Sequence, residues 1–416
     1  MKKIIFHIRK LIPAPLLSAY HYLLALFGAI VYRFPSRKCI VVGITGTKGK
    51  SSTAEILSAI LEKASHKTAL LGTIRFKVGN DSTPNLYKMT MPGRFFIQKF
   101  LRKAVNAHCE YVILEMTSEG VVQHRHRFIA LDALIVTNIA PEHIESHGSF
   151  EKYLVAKLAL VDALNTSPKK NKTLVVNTDD AYAENFLKAK TPSKIRYSLA
   201  NAKPYTLRED GVSFMFEGKE MKTELLGTFS LYNILAAATF AQSRGVSREV
   251  IREEVAHLKV IPGRAQKVNG GQTFDVVVDY AHTKESLESL YKAFPGKKLI
   301  CVLGATGGGR DRWKRGIMGA IADRYCSHII LTNEDPYDED PEQIVREVAK
   351  GITTHTPTII MDRREAISRG ITYATENSAV LITGKGTDPF IMGPKGTKEP
   401  WSDSEIAREE LRKILK

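Results

Sequence analysis

The sequence predicts an α/β chain in which a short hydrophobic helical segment is followed by two successive parallel-sheet domains. Three observations predict it. From Lys38 onward, short β-branched runs alternate with segments of helical periodicity, the pattern of parallel βα units. A turn carrying Gly46 and Gly49 separates the first of these strands from its helix. A Pro262-Gly263 step then breaks the alternation before a second series of strands begins. The expected boundaries are residues 1–37 for the hydrophobic segment, 38–261 for the central domain and 262–416 for the C-terminal domain.

Bulk properties narrow the function classes. A chain of 416 residues is long enough for each domain to bury its own core. Hydrophobic content of 44% and charged content of 25% exclude disorder as the default. Lys plus Arg number 60 against 44 for Asp plus Glu, giving a net charge of +16. Such a surplus suits an anionic partner: a nucleotide, a phosphorylated sugar, a nucleic acid or an acidic membrane leaflet. No RNA- or DNA-binding module is readable, so nucleic acid is not expected as a partner. Cys39, Cys109, Cys301 and Cys326 are scattered without a CxxC pair, which predicts neither a zinc ribbon nor a disulfide framework and fits a reducing cytosol.

The first element is "LLSAYHYLLALFGAIVY", Leu16 to Tyr32, with no formal charge and with basic residues on both sides. It falls short of the ~20 residues of a spanning helix and lacks a small-residue cleavage site. Two readings stand: a helix lying in a membrane interface, or one docked on the next domain.

The central domain opens with "CIVVGIT" as a strand and "SSTAEILSAILEKA" as its helix, with Ile56, Leu57, Ile60 and Leu61 on one face. Strands follow at "YVILEMT", "ALIVTNI" and "TLVVNTD", and a β-rich stretch at "SFMFEGKEMKTELLGTFS" precedes the helix "LYNILAAATFAQSRG". After "VIPGRAQKV", the strands "FDVVVDY", "KLICVLG", "HIILTNE", "TIIMD" and "AVLITG" predict a Rossmann-like C-terminal α/β domain.

A strand, a glycine turn and a helix N-terminus make an anion site, because backbone N–H groups and the helix dipole point at the same ligand. In "GITGTKGKSS", Gly46 and Gly49 let the backbone approach a phosphate, Lys50 neutralises the outer phosphates, and Ser51 offers a hydroxyl to Mg²⁺. The central domain therefore reads as a P-loop-type ATPase with a shortened loop, T-G-T-x-G-K-S. Arg310, Arg312, Lys314 and Arg315 form a basic cluster after a glycine turn, suited to carboxylates or phosphates. The spacing of Gly304, Gly307, Gly308 and Gly309 does not fit a dinucleotide fingerprint.

The loop resembles that of the Mur ligases, the cytoplasmic amide-forming enzymes of peptidoglycan synthesis. Further segments resemble the family in order: "LEMTSEG", "TNIAPEHIESHGSFEKYLVAKLALV", "NTDD", "LLGTFSLYNILAAA", "IPGRAQKV", "VVDYAHTKESL", "GATGGGRDRWKRGIMGAIA", "LTNEDPYDEDPEQIV", "MDRREAI" and "GKGTD". The resemblance implies catalysis by Lys50, Glu115, His143, Lys157 and His282. It implies ATP binding by Gly46, Thr47, Gly49, Lys50, Ser51, Ser52, Asn138, Asn233, Arg264 and Asp279, with two Mg²⁺ held by Ser51, Glu115, His143 and a carbamylated Lys157. The substrate set it implies is Thr117, Ser118, Arg125, Arg310, Arg312, Lys314, Arg315, Asp335, Tyr337, Gly384 and Asp388.

Within the family, "DYAHT" and "RDRWKR" are most similar to the branch that joins a diamino acid to UDP-N-acetylmuramoyl-L-Ala-D-Glu through an acyl phosphate. Four departures stand out. Glu334-Asp335-Pro336-Tyr337 replaces the family's D-N-P-R, and Tyr337 cannot grip a carboxylate bidentately as arginine does. Asp388 replaces a glutamate, Glu119 replaces a histidine, and only about forty residues precede the loop where the family carries a uridine-binding domain. The expected partners are a muramoyl-peptide precursor, UDP-linked or lipid-linked, and an amino acid. The chain is expected to be a cytoplasmic monomer with peripheral membrane contact through its N-terminal helix. The rivals are a folylpolyglutamate-type ligase and a membrane-associated scaffold that binds ATP without chemistry.

Overall fold

The computed structural model describes residues 13–142 and 144–414. Along the chain its helices are α1 (Ala14–Val31), α2 (Lys50–Lys63), α3 (Arg94–Asn106), α4 (Ser118–Val122), α5 (Ile144–His147), α6 (Phe150–Asn165) and α7 (Ala183–Leu187). They continue as α8 (Gly227–Ser243), α9 (Arg248–His257), α10 (Lys284–Tyr291), α11 (Lys314–Tyr325), α12 (Pro341–Ala349), α13 (Arg363–Thr372) and α14 (Asp403–Ile414). The described residues form two compact units. One takes the chain up to Ala140 with Phe150–Ala200 and Asn233–Ile251, and the other takes Pro141–Ser149, Asn201–Tyr232 and the chain from Arg252.

The first unit is built on eight strands: β1 (Ile40–Thr45), β2 (Thr68–Leu71), β3 (Arg75–Val78), β4 (Asp81–Pro84), β5 (Tyr111–Glu115), β6 (Ala133–Val136), β7 (Thr173–Asn177) and β8 (Ser193–Tyr197). They lie in the order β4-β3-β2-β5-β1-β6-β7-β8, parallel from β2 to β8, with β3 and β4 added antiparallel at one edge. Because β1 has β5 on one side and β6 on the other, the chain reverses its direction of growth at β1. In an open parallel sheet that switch point opens a crevice beyond the strand ends, where ligands bind. The predicted face of α2 is realised: Ile56, Leu57, Ile60 and Leu61 are fully buried. Each contributes roughly 1.5–3 kcal/mol of burial.

The N-terminal helix α1 packs on α3, and its His21, Ala25 and Ala29 are buried. Gly28 faces the Phe95 backbone, where an added Cβ would lie at 3.6 Å. The carbonyl end of α1 is held by Arg102 of α3, whose guanidinium donates to the Tyr32 carbonyl at 2.7 and 3.1 Å. No described helix is long and apolar enough to cross a membrane.

The β-rich stretch of the second unit forms an antiparallel meander of β9 (Tyr205–Arg208), β10 (Gly211–Phe216) and β11 (Lys219–Thr223). Its main sheet contains β12 (Gln266–Lys267), β13 (Asp275–Asp279), β14 (Lys298–Leu303), β15 (His328–Leu331), β16 (Thr358–Ile359) and β17 (Ser378–Thr383). The order is β12-β13-β17-β14-β15-β16, all parallel except β12. Alternate residues feed two cores: Val277, Cys301 and Leu381 point into one, Val276, Ile300 and Val380 into the other. Both faces are covered, which is why these strands read as continuous apolar runs. A short ribbon of β18 (Phe390–Met392) and β19 (Lys398–Pro400) follows.

Cysteine spacing predicts no disulfide, yet Cys301 and Cys326 are joined by one. β14 and the residue after α11 bring their Cα atoms to 6.2 Å, a proximity that a 25-residue separation does not reveal. Cys39 and Cys109 are free and buried.

Candidate active site

In the first unit, the site grows from the switch point. β1 ends at Thr45, and the next turn needs a backbone that only glycine supplies without strain: Gly46 has φ 145° and Gly49 φ 83°. A Cβ on Gly46 would lie 1.9 Å from Thr137 Oγ1, and one on Gly49 2.3 Å from Asn233 Oδ1. The turn is therefore pressed against the β6 exit and against Asn233, leaving its amides at the N-terminus of α2.

Other residues brace it. The Lys48 amide donates to Asn138 Oδ1 at 2.8 Å while Asn138 Nδ2 donates to the Lys48 carbonyl at 3.0 Å, so Asn138 shapes the loop. Thr47 Oγ1 meets the Tyr153 hydroxyl at 2.7 Å and accepts from the Ala140 amide at 2.9 Å. Lys50 Nζ folds over the turn and donates to the Gly46 and Thr47 carbonyls at 2.8 and 2.9 Å.

Ser51 Oγ donates to Glu115 Oε2 at 2.9 Å. Glu115, buried at the end of β5, also accepts from the Thr73 amide at 2.7 Å and the Thr73 hydroxyl at 3.0 Å. A hydroxyl and a carboxylate beside a phosphate turn form the hard-oxygen donor set that Mg²⁺ takes, so these residues fit the ion. Lys157, buried on α6, donates to Thr45 Oγ1 at 3.2 Å and to the Gly46 carbonyl at 3.0 Å. Among the described residues no group of three or more His, Cys, Asp or Glu gathers in a metal-binding arrangement. His143 lies outside the described residues.

Ser52 is buried in the first turn of α2, and Thr53 Oγ1 donates to Asn233 Oδ1 at 3.3 Å. Thr117 caps α4, accepting from the Gly120 amide at 3.1 Å, and Ser118 is buried beside it. Arg125 donates to the Met91 carbonyl and, at 2.7 Å, to Gln123 Oε1. Arg94, which the sequence did not single out, donates to the Gln123 carbonyl in the same neighbourhood.

In the second unit, Asp279 at the end of β13 accepts from the Ala265 and Ala281 amides at 2.6 Å each, fixing the segment that carries Arg264. The Arg264 guanidinium stacks over the Tyr280 ring at 4.6 Å. The Asp388 carboxylate, then burial, pushes the Tyr280 phenol up, so it stays neutral. His282 Nδ1 faces the Tyr280 carbonyl at 2.6 Å and Nε2 faces Glu142 Oε1 at 3.1 Å. His282 thus bridges the Tyr280 carbonyl and the Glu142 carboxylate. Glu142 was not predicted; its neighbourhood with His143 was its only signal.

The basic loop divides in two. Arg310 is exposed, whereas Arg315 is buried, paired with Glu339 at 2.9 Å and Glu347 at 2.7 Å. Arg312 also pairs with Glu347, and Lys314 is buried. Asp335 is turned inward to Lys385 Nζ at 2.7 Å and accepts from the Met392 amide at 2.8 Å. Tyr337, half-buried at φ 54°, lines a cleft of about 700 Å³ with Asp338, Glu339, Lys398 and Glu399. Asp388 lies 3.8 Å from Lys385 Nζ. Gly384, at φ 105°, sits where a Cβ would come within 2.2 Å of Glu334 Oε2. Burial and the neighbouring Asp335 push the Glu334 carboxyl up, and its Oε1 accepts from Thr306 Oγ1 at 2.7 Å.

Comparison with known proteins shows the family. Residues 44–241 match the Mur ligase middle domain and residues 263–386 the Mur ligase glutamate ligase domain. The chain is 34% identical over 408 residues to a UDP-N-acetylmuramoyl-L-alanyl-D-glutamate–2,6-diaminopimelate ligase of Syntrophomonas wolfei, covering 94% of this chain and 82% of that protein. It is 33% identical over 433 residues to a UDP-N-acetylmuramyl-tripeptide synthetase of Roseiflexus, covering 97% and 85%. Among solved structures, a UDP-N-acetylmuramoyl-L-alanyl-D-glutamate–2,6-diaminopimelate ligase superposes with a TM-score of 0.62 at 27% identity, covering 91% of this chain and 79% of that one. A Mycobacterium tuberculosis folylpolyglutamate synthase reaches a TM-score of 0.72 over 88% and 93% at 15% identity, which shows a shared fold only. The chain belongs to the Mur ligase family.

Proposed function

We propose that this chain joins an amino acid, read as a diamino acid, to a muramoyl-dipeptide acceptor with hydrolysis of ATP to ADP and phosphate. The observation that carries the reading is the contact of Ser51 with Glu115 beside the glycine turn capped by Lys50. Amide formation from a carboxylate needs an activated acyl group. An acceptor carboxylate oxygen attacks the γ-phosphorus of ATP, the bond to the bridging oxygen breaks, and ADP leaves with its electrons. Lys50 and the turn amides offset charge on the transferring phosphoryl group. Ser51 and Glu115 would hold Mg²⁺, which would supply further charge neutralisation when bound. The amine nitrogen then attacks the acyl phosphate carbonyl, phosphate departs, and the amine gives up its proton. Exposed Arg310 is assigned to the anionic groups of the substrates, and His282, held against Glu142, is assigned to catalysis.

Three finer points belong to this reading. Lys157 carries a carbamate and completes a second Mg²⁺ site, the enzyme acts as a monomer in the cytoplasm, and α1 touches the inner face of the membrane. Tyr337, standing where the family has arginine, favours an amino acid whose distal end lacks a carboxylate. The relatives' names specify diaminopimelate, so the amino acid is to be determined by experiment.

Phosphate release tests the reading, with UDP-linked and lipid-linked muramoyl dipeptides crossed against lysine, ornithine and meso-diaminopimelate, and folate with glutamate as a separate arm. Release requiring both an acceptor and one amino acid, with the ligated product seen by mass, is the expected result. ATP binding without release by any pair would overturn it.

A further inference from the structure

Buried on α3 by one face, α1 leaves the opposite face uncovered by the unit that carries it. Leu16, Tyr20, Leu23, Phe27 and Ile30 are between 52% and 61% exposed. They follow one another by steps of four, three, four and three residues, so they form a single apolar stripe roughly 100° wide. His21, Ala25 and Ala29, on the opposite side, are 5% exposed or less. A helix with a buried small-residue face and a projecting leucine and aromatic face is mounted for a partner. The mount is rigid, since Arg102 holds the helix exit and the Phe27 and Phe95 rings meet at 5.7 Å.

Charge identifies that partner. The stretch Ala14–Val31 has no charged residue, and the first carboxylate in the sequence is Glu55. Before Cys39 the basic residues are Lys2, Lys3, Arg9, Lys10, Arg33, Arg37 and Lys38, with no acid among them. Arg33, Arg37 and Lys38 follow the helix directly and are exposed. An apolar stripe followed directly by three exposed cations, in a stretch of sequence without carboxylates, matches an anionic lipid surface, where acyl chains take the stripe and headgroups take the cations. A second copy of the helix would bring like charges together. No described helix is long and apolar enough to cross a bilayer, so the contact is with the surface.

The helix also touches the segment after α4 in the first unit. Ser18 Oγ and His124 Nε2 are 2.8 Å apart, and the Tyr22 ring meets His124 at 5.9 Å and Phe128 at 5.2 Å. These residues flank Arg125, which the family resemblance puts among the substrate-binding residues.

We propose that the Leu16-Tyr20-Leu23-Phe27-Ile30 face of α1 is an interfacial anchor for anionic lipid that holds the ATP-binding unit against the membrane. The inference rests on the reading that this chain works beside a membrane, and vesicle binding measured without ATP keeps its failure apart from failure of the ligase assignment.

The test is co-sedimentation of the full chain with vesicles of phosphatidylcholine alone or mixed with phosphatidylglycerol. Binding only to the mixed vesicles is expected, weakened at least about tenfold by raised salt. The L16E/L23E variant, altered at two positions each 61% exposed, is expected to lose binding at least about tenfold while keeping its circular dichroism and its phosphate release with a UDP-linked acceptor. Equal binding to both vesicle types, or binding unchanged in L16E/L23E, would overturn the proposal. So would a parent dimer in sedimentation equilibrium that L16E/L23E dissolves, because the stripe would then be covered by a second copy.

Discussion

Ser51 and Glu115, separated by 64 residues, are joined by a 2.9 Å hydrogen bond at the carboxyl edge of the first sheet. The hydroxyl comes from the first turn of α2 and the carboxylate from the end of β5, which is the strand beside β1. Glu115→Gln keeps the volume and removes the charge. The expected result is at least about a tenfold rise in the Mg²⁺ concentration giving half-maximal phosphate release. An unchanged Mg²⁺ dependence would take Glu115 out of the metal site.

Lys50 Nζ rests on two carbonyls of its own turn, at the N-terminus of α2. Lys50→Ala is expected to lower turnover by about 10²–10³-fold or more. Thermal unfolding should stay close to the parent's, because these are half-buried contacts at a loop. Near-normal product formation by this variant would falsify the assignment.

Tyr337→Arg restores the residue that the family carries before the diamino-acid pocket. A guanidinium at this position should lower KM for meso-diaminopimelate by about tenfold, with a smaller change for lysine. If KM for the two amino acids moves equally, Tyr337 does not read the distal end.

Arg363 and Asp403 form a bidentate pair at 2.8 and 2.7 Å, and neither is more than 2% exposed. Arg363 also donates to the Thr383 carbonyl at 2.9 Å, and Trp401 Nε1 donates to Asp403 at 2.7 Å, so one pair ties the starts of α13 and α14 to the end of β17. Asp403→Ala leaves a buried guanidinium without its carboxylate and should cost about 3–5 kcal/mol in urea unfolding. A loss below about 1 kcal/mol would show that the site rehydrates.

His126 is 2% exposed, and among the described residues neither ring nitrogen has a hydrogen-bond partner. Burial, helped by the charge of Arg127, lowers its pKa to about 3. The unfolded value is about 6.5, so the folded pKa is depressed. The stability held by the neutral ring is complete above about pH 6.5 and is lost as pH falls toward about 3. Between about pH 7.5 and about pH 5 the parent should lose on the order of 2 kcal/mol more than His126→Leu. Parallel urea profiles for the two proteins would exclude the effect.

Much of the fold was legible because parallel strands buried on both faces announce themselves as apolar runs, as in β1, β5, β13 and β17. The antiparallel edge was not: β4 reads Asp-Ser-Thr-Pro, which has no apolar alternation, and its pairing is set by the turn after β3. The glycine turn, Lys50 and Ser51 were legible because their spacing is local. The inward turn of Arg315 and Asp335 was hidden, because their partners Glu339, Glu347 and Lys385 lie 24, 32 and 50 residues away. Distance in sequence likewise hid the Cys301–Cys326 bond and the Glu142–His282 contact.

The first sheet ends on strands that discourage addition. All four residues of β4 are exposed, and Pro84 has no N–H to offer a newcomer. At the other edge, β8 presents Lys194 and Arg196 to solvent. A neighbouring molecule trying to extend this sheet meets a proline and a carboxylate at one side and two cations at the other. Edges of that kind block the templated stacking of sheets into fibres, so eight strands are where this sheet stops growing.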